Sequence, residues 1–212
     1  MKKIFLALIL CNSYLFFAQG SNPFITFEAF RETSNTENNR IEGSPYFDES
    51  FLPAKILGVE KTFKTRYNVF LDQFEIRYED ETFVLPKDNR YPIINLKDSK
   101  YVLLTLNNTY YIESYSNNNF ALLKKERIKI SEKKKATTGY SSDKPERYVP
   151  MSSEFYLKLG EDKIIEFPKN KNVLFDTFPN FKTKINKYLK DSKPSFKQEA
   201  DLIALTKFLS TL

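Results

Sequence analysis

The chain of 212 residues carries 33 Lys and Arg against 27 Asp and Glu, no histidine, and a single cysteine, Cys11. That inventory excludes histidine-based triads and any disulfide within the chain. It also leaves zinc, haem, iron–sulfur and copper centres without the imidazole or thiolate ligands they need.

In chain order, the first element is an export signal. Lys2 and Lys3 precede an apolar run from Ile4 to Ala18, interrupted by Asn12 and Ser13, and Ala18-Gln19-Gly20 supplies small residues at a cleavage site. The run is shorter than the roughly 20 apolar residues a spanning helix needs, which argues against a retained anchor. Acylation at Cys11 is disfavoured because Leu8-Ile9-Leu10 lacks the small residue before the cysteine, and apolar sequence continues after it. Cleavage after Gly20, with Ala18 as the alternative, leaves 192 residues without cysteine or histidine and with 31 basic against 27 acidic side chains. Thiolate nucleophiles are thereby excluded as well, so any enzyme here would work with Asp, Glu, Tyr, Lys, Ser or Arg. The basic excess lies in residues 121–212, where Arg127 and Arg147 are the only arginines, so solvated lysine rather than phosphate recognition explains it. Nucleic acid is not an expected partner.

Residues 21–44 read as a largely flexible lead-in, with one alternating stretch at 24–30. Residues 45–168 read as a β-rich body. Stretches 62–70 and 73–78 alternate apolar and polar, placing Phe63, Thr65, Tyr67, Val69 and Leu71 on one face and Phe74, Ile76 and Tyr78 on one face of the next. Further strands are expected at 54–57, 82–85, 93–96, 101–106, 109–115 and 120–130. The turn at Asn107-Asn108 suits a hairpin because Asn tolerates positive φ. Residues 133–149 are expected to be a long excursion, and 154–159 with 163–167 a hairpin around Gly160. The fold class is therefore mainly β, an antiparallel barrel or sandwich.

From 169 to 212 the pattern turns helical. Val173, Leu174, Phe175 and Phe178 predict a short helix ended by Pro179, and Phe181, Ile185, Tyr188 and Leu189 a second, amphipathic one. Ser195 to Gln198 fits a capping box opening a third helix that carries Leu202, Leu205, Leu209 and Leu212 with Phe208. This small C-terminal helical appendage is too short to fold alone and is expected to pack on the sheet.

No catalytic, metal or cofactor signature is present, and no cofactor is expected. Four polar groups invite a chemical reading, each against a plainer one. Arg66, Asn68, Asp72 and Glu75 form a polar cluster able to meet a carboxylate or sugar hydroxyls, or else a cross-strand ion pair. Tyr111, Glu113 and Tyr115 fall on one face of an alternating strand, with Tyr101 beside them, and would stack on a sugar or simply pack. Asp48, Glu49, Asp72, Glu75 and Glu113 are available for paired-carboxylate hydrolysis, without any specific signature for it. The lysines from Lys124 to Lys135 suit an anionic membrane surface or plain solvent. Asn107-Asn108-Thr109 matches a glycosylation acceptor, to which the hairpin-turn reading is preferred.

Three segments, Gly43-Ser-Pro-Tyr46, Arg66-Tyr67-Asn68 with Asp72 and Glu75, and Phe155-Tyr-Leu-Lys-Leu-Gly160 with Glu199 to Ile203, resemble uncharacterised secreted proteins of Bacteroidetes-type bacteria. The resemblance covers nearly the whole chain after residue 20. It implies a β-rich body with a helical tail, a place for the first two segments in the common scaffold, and a periplasmic, outer-membrane-associated or extracellular location. It implies no activity. The expectation is an exported, non-enzymatic binding or structural module of the envelope, contacting an envelope component or a glycan, with Arg66, Asn68, Glu75, Tyr111 and Tyr115 as ligand-contact candidates. An exported glycan hydrolase or a peripheral membrane protein is the alternative.

Overall fold

A computed structural model describes residues 31–32, 41–117, 120–133, 145–161 and 163–212. The expected signal peptide, the stretch at 24–30 and most of the lead-in lie outside the described residues, as do 134–144 of the expected excursion.

Among the described residues, eleven strands form one antiparallel sheet: β1 (Arg31–Glu32), β2 (Leu52–Ile56), β3 (Phe63–Asn68), β4 (Gln73–Tyr78), β5 (Glu81–Val84), β6 (Ile93–Leu96), β7 (Ser99–Leu104), β8 (Thr109–Ser116), β9 (Phe120–Ser131), β10 (Arg147–Leu159) and β11 (Lys163–Glu166). Their spatial order is β1-β5-β4-β3-β2-β6-β7-β8-β9-β10-β11, two meanders joined where β2 pairs with β6. Tight connections are made by residues in the left-handed region, among them Glu79 (φ 53°), Lys97 (φ 51°) and Asn108 (φ 51°). Asn108 is left-handed as the asparagine turn requires, but β7 ends at Leu104, so the connection is the four-residue loop 105–108 rather than a two-residue turn at Asn107-Asn108.

The strands obey the expected period of two. Phe63, Thr65 and Tyr67 are buried while Lys64 is exposed, and Phe74 and Ile76 line the same interior from β4. Leu71 departs from the pattern: it lies beyond the end of β3 and is exposed. The interior collects side chains from β2 to β8 together with Ile128 of β9 and Tyr148 of β10. The sheet therefore curls enough to bring β9 and β10 to the interior lined by β2–β8, and the Phe70 and Tyr148 rings touch edge to face at 5.3 Å.

Strand β10 begins at Arg147, so residues 147–149 are strand rather than part of the excursion. Two features hid them. Register shifts between Met151 and Glu154, a bulge that breaks the alternation, and Pro150 interrupts the apolar pattern.

The tail comprises α1 (Lys171–Thr177), a 3-10 turn at Pro179–Phe181, α2 (Lys182–Ser192) and α3 (Glu199–Leu209). Asn170 caps α1, its Oδ1 accepting from the Asn172 and Val173 amides at 2.9 and 3.1 Å. The capping box does not form: Gln198 is itself the N-cap residue of α3 and makes no side-chain cap bond, and the Ser195 amide donates to Asp201 instead, at 2.9 Å. The helices share a second core with the sheet. Leu174, Ile185, Leu202, Leu205 and Leu209 pack with Leu122 of β9 and Leu157 of β10. Among the described residues no helix is long and apolar enough to cross a membrane.

Candidate functional site

Residues 41–51 form a strap over the sheet. Glu42 bridges to Arg147 at the edge of β10, and the Pro45 carbonyl accepts from the Val69 and Phe70 amides. Gly43 makes the sharp passage between these contacts. Its φ is +82°, and a Cβ there would stand 3.3 Å from the Tyr148 carbonyl oxygen.

The strap delivers Tyr46 onto Glu75. Glu75 is 1% exposed, and every donor around it is engaged. Tyr46 Oη donates to both its oxygens at 2.8 and 2.9 Å, Asn68 Nδ2 donates at 3.1 Å, and Arg66 closes with Nε and Nη2, both at 2.7 Å. The Arg66 guanidinium stacks on both the Tyr46 and Phe51 rings, 4.1 and 4.4 Å from their centroids, and Arg77 also stacks on Phe51 at 4.2 Å. Burial, with the hydrogen bond to Glu75 second, pushes the Tyr46 phenol well above its ordinary range. Arg66, Asn68 and Glu75 are thus brought together as expected, as the anchor of the strap, with the Glu75 carboxylate fully occupied.

Asp72 belongs elsewhere. It accepts from Tyr67 Oη, from Lys87 at 2.6 Å and from Lys125. Lys125 also reaches the Tyr110 carbonyl at 3.1 Å, and Lys87 the Asn108 carbonyl at 2.9 Å. Burial lowers the Lys125 pKa, opposed by Asp72. This cluster ties the β3–β4 turn to the β7–β8 hairpin and β9, and its donors face one another.

The expected tyrosine face is split. Register between β8 and β9 shifts between Glu113 and Tyr115, so Ser114 is an extra residue and reverses the alternation. Tyr111 is 4% exposed, packs edge to face on Tyr156 at 5.3 Å and accepts from Asn107 at 2.8 Å. Tyr115 turns to the opposite face among the helices, under Lys207. Tyr101 pairs with Ile112 and lies in the first core, away from Tyr111. Glu113 binds Lys100 and Ser116, each at 2.8 Å.

A cleft of about 140 Å³ opens between the strap and the sheet, lined by Asp48, Arg66, Tyr67, Lys97, Tyr101 and Glu126. Two of these have polar groups without a hydrogen-bond partner among the described residues: the Tyr101 hydroxyl and the Glu126 carboxylate. The cation nearest Glu126 is Lys124 at 4.0 Å, which lies closer, at 3.1 Å, to Glu199 of α3. Burial raises the Glu126 pKa, and Glu199 adds to the rise while Lys124 and Lys125 oppose it. Burial and the Glu126 charge push the Tyr101 phenol upward. At the rim, the hydrogen bond from Lys97, with those from Ser50, holds the Asp48 pKa down at about 2. Sequence reasoning passed over Glu126. Its signal was a charged residue in the stripe Leu122, Lys124, Glu126, Ile128, Ile130, whose two ends enter the two cores.

A wider groove follows the β10 edge past Pro150 and Met151 to Phe196 and Leu202 of the tail. The Tyr148 amide points out of that edge to Glu42. Alternation therefore turns the Pro150 nitrogen outward, where it has no hydrogen to offer an added strand.

Comparison with protein-family models, with curated proteins and with solved structures finds no match for this chain.

Proposed function

We propose that the chain is an exported, non-enzymatic binding module of the cell envelope whose ligand site is the cleft under the strap. One observation carries the reading. Glu126 and Tyr101 present polar groups without a hydrogen-bond partner among the described residues to a concave space, while three acids of the expected sites, Asp72, Glu75 and Glu113, are consumed in internal ion pairs. The strap is held rigidly by Tyr46, Arg66 and Glu75, and a pre-organised wall lowers the ordering cost of binding. The export signal at residues 1–20 and the likeness to secreted proteins support an envelope location. The single curled sheet is read as a sandwich-like roll, since its strand order is open at β1 and β11.

Exported glycan hydrolysis is the second reading, and one observation favours it. Asp48 and Glu126 line the same cleft with pKa values pushed in opposite directions, as an acid and a base would require. Against it, Asp48 is bound to Lys97 on the exposed rim, and the cleft is small for a sugar ring. Peripheral attachment to an anionic membrane is weakened because Lys124, Lys125 and Arg127 are engaged by Glu199, Asp72 and Glu154.

The test is capture from the envelope fraction of the producing cell by tagged protein, beside a variant carrying Tyr101→Ala and Glu126→Ala. Capture lost in the double variant and kept in Lys207→Ala supports the cleft; identical capture by all three overturns it. Release of reducing sugar ends by the unaltered protein, abolished by Glu126→Gln, would establish the hydrolase instead.

A further inference from the structure

The charges around the cleft do not cancel. Arg66 is matched by Glu75 at 2.7 Å, and Lys97 is matched by Asp48 on the rim. Glu126 is the remainder: its side chain is only 21% exposed, and its neighbour Lys124 is drawn away to Glu199. A largely buried carboxylate that has gained no hydrogen-bond donor among the described residues is complementary to a ligand that brings both a positive charge and N–H groups.

The walls favour the same kind of ligand. The Tyr67 and Tyr101 rings stand 5.0 Å apart, and Phe47 lines the rim with half its surface exposed. Aromatic faces attract ammonium groups and the methylenes beside them. The Tyr101 hydroxyl offers an acceptor lone pair for a second N–H. The volume, about 140 Å³, is close to the roughly 150 Å³ that accepts a single benzene molecule. That is room for a short alkyl amine or the end of a basic side chain. An anion would meet Glu126 directly, and its best cations, Arg66 and Lys97, are already spoken for.

We infer that the cleft takes a small primary ammonium ligand, its charge held by Glu126, its N–H groups shared with the Tyr101 hydroxyl, and its carbon chain laid against Tyr67, Tyr101 and Phe47. This inference rests on the cleft being the ligand site and adds the chemistry that the site selects.

The experiment is an NMR titration of the purified protein, following backbone amides, with n-propylammonium, n-propanol and propionate as matched probes. n-Propylammonium is expected to shift the amides of Ser50, Tyr101 and Glu126 saturably, more tightly than n-propanol, while propionate leaves them unmoved. Glu126→Gln, which keeps the shape, is expected to weaken n-propylammonium binding about tenfold or more, as loss of a charged hydrogen-bond partner does. Tyr101→Phe, which keeps the ring, is expected to weaken it several-fold. Glu113→Gln, remote from the cleft lining, is expected to leave it unchanged. If n-propanol binds as tightly, or if Glu126→Gln binds n-propylammonium as well as the unaltered protein, the ammonium assignment is overturned while the cleft stands as a site. If no probe moves these amides, both the assignment and the cleft reading fall.

Discussion

The Tyr46 hydroxyl donates to both carboxylate oxygens of Glu75, at 2.8 and 2.9 Å, across 29 positions of the chain. With Arg66 it makes a buried carboxylate serve as the rivet between a non-repetitive strap and the outer side of β3 and β4. Removing the two partners should have unequal consequences. Glu75→Ala leaves Arg66 with no counter-charge against two aromatic rings and is expected to cost about 3–5 kcal/mol, the range for breaking a buried pair from one side. Tyr46→Phe keeps the stacking and removes one donor, for about 1 kcal/mol. Urea unfolding of both variants checks the ratio; equal losses would mean that Tyr46, not the ion pair, holds the strap.

Asp72 has the opposite balance, one carboxylate between two lysines. Asp72→Asn should leave Lys87 and Lys125 facing each other in a half-buried space, with a loss of about 3 kcal/mol near neutral pH. The sign of its pH dependence follows from Lys125. A lysine whose pKa is lower in the folded state than in the unfolded one burdens the fold when charged, and the burden lifts as pH rises through the folded value. The gap in stability between Asp72→Asn and the unaltered protein should therefore narrow from pH 7 towards pH 10 in chemical denaturation. A gap that widens over that range would show that Lys125 is not the group left unpaired.

Much of this architecture was readable wherever periodicity was clean. Strands β4 and β6 fall on the expected residues, and all three helices follow from their apolar spacing. Two of the missed features come from bulges. The bulges at Ser114 and at Ser152-Ser153 each add one residue, which reverses inward and outward, so Tyr115 could not be placed from Tyr111, nor the start of β10 from its end. The site was harder still. Arg66, Asn68 and Glu75 are cross-strand neighbours and so could be grouped from two adjacent strands. Glu126 meets Tyr67 and Tyr101 only because the sheet curls β9 back against β3 and β7, a long-range event with no local trace. Tyr46 reaches Glu75 through a strap that has no period at all.

The helical tail and the sheet share a core, so they should unfold together. Leu205 is 1% exposed and packs in the cluster that includes Leu122 of β9 and Leu157 of β10. Leu205→Ala is expected to cost about 2–5 kcal/mol. Amides of α3 and of the β9–β10 ladder should then lose hydrogen-exchange protection in parallel. Loss confined to the helices would show that the tail is a separately melting unit.

Glu126 leads to a prediction of the reverse sign. The groups that face or flank it are Lys124 and Lys125 on its own strand, Glu199 from α3, Tyr67 and Arg66 from β3, Tyr101 from β7, and Asp48 with Lys97 at the rim. Burial raises its pKa above the unfolded value, so its ionised form is the poorer fit to the fold. Stability from such a carboxyl is fully present below the unfolded pKa and is lost as pH rises through the folded one. Glu126→Gln removes the charge and keeps the shape. At pH 7 it should therefore raise stability, by on the order of 1 kcal/mol for relieving an unsatisfied group that keeps some contact with water. The advantage should shrink as pH falls and the unaltered carboxyl takes up its proton. Thermal unfolding of the two proteins from pH 7 to pH 4 reads the difference directly. A variant less stable than the unaltered protein at pH 7 would mean that Glu126 already has a partner in the folded chain. In that case its charge would be structural, and the cleft would have no excess charge to offer a ligand.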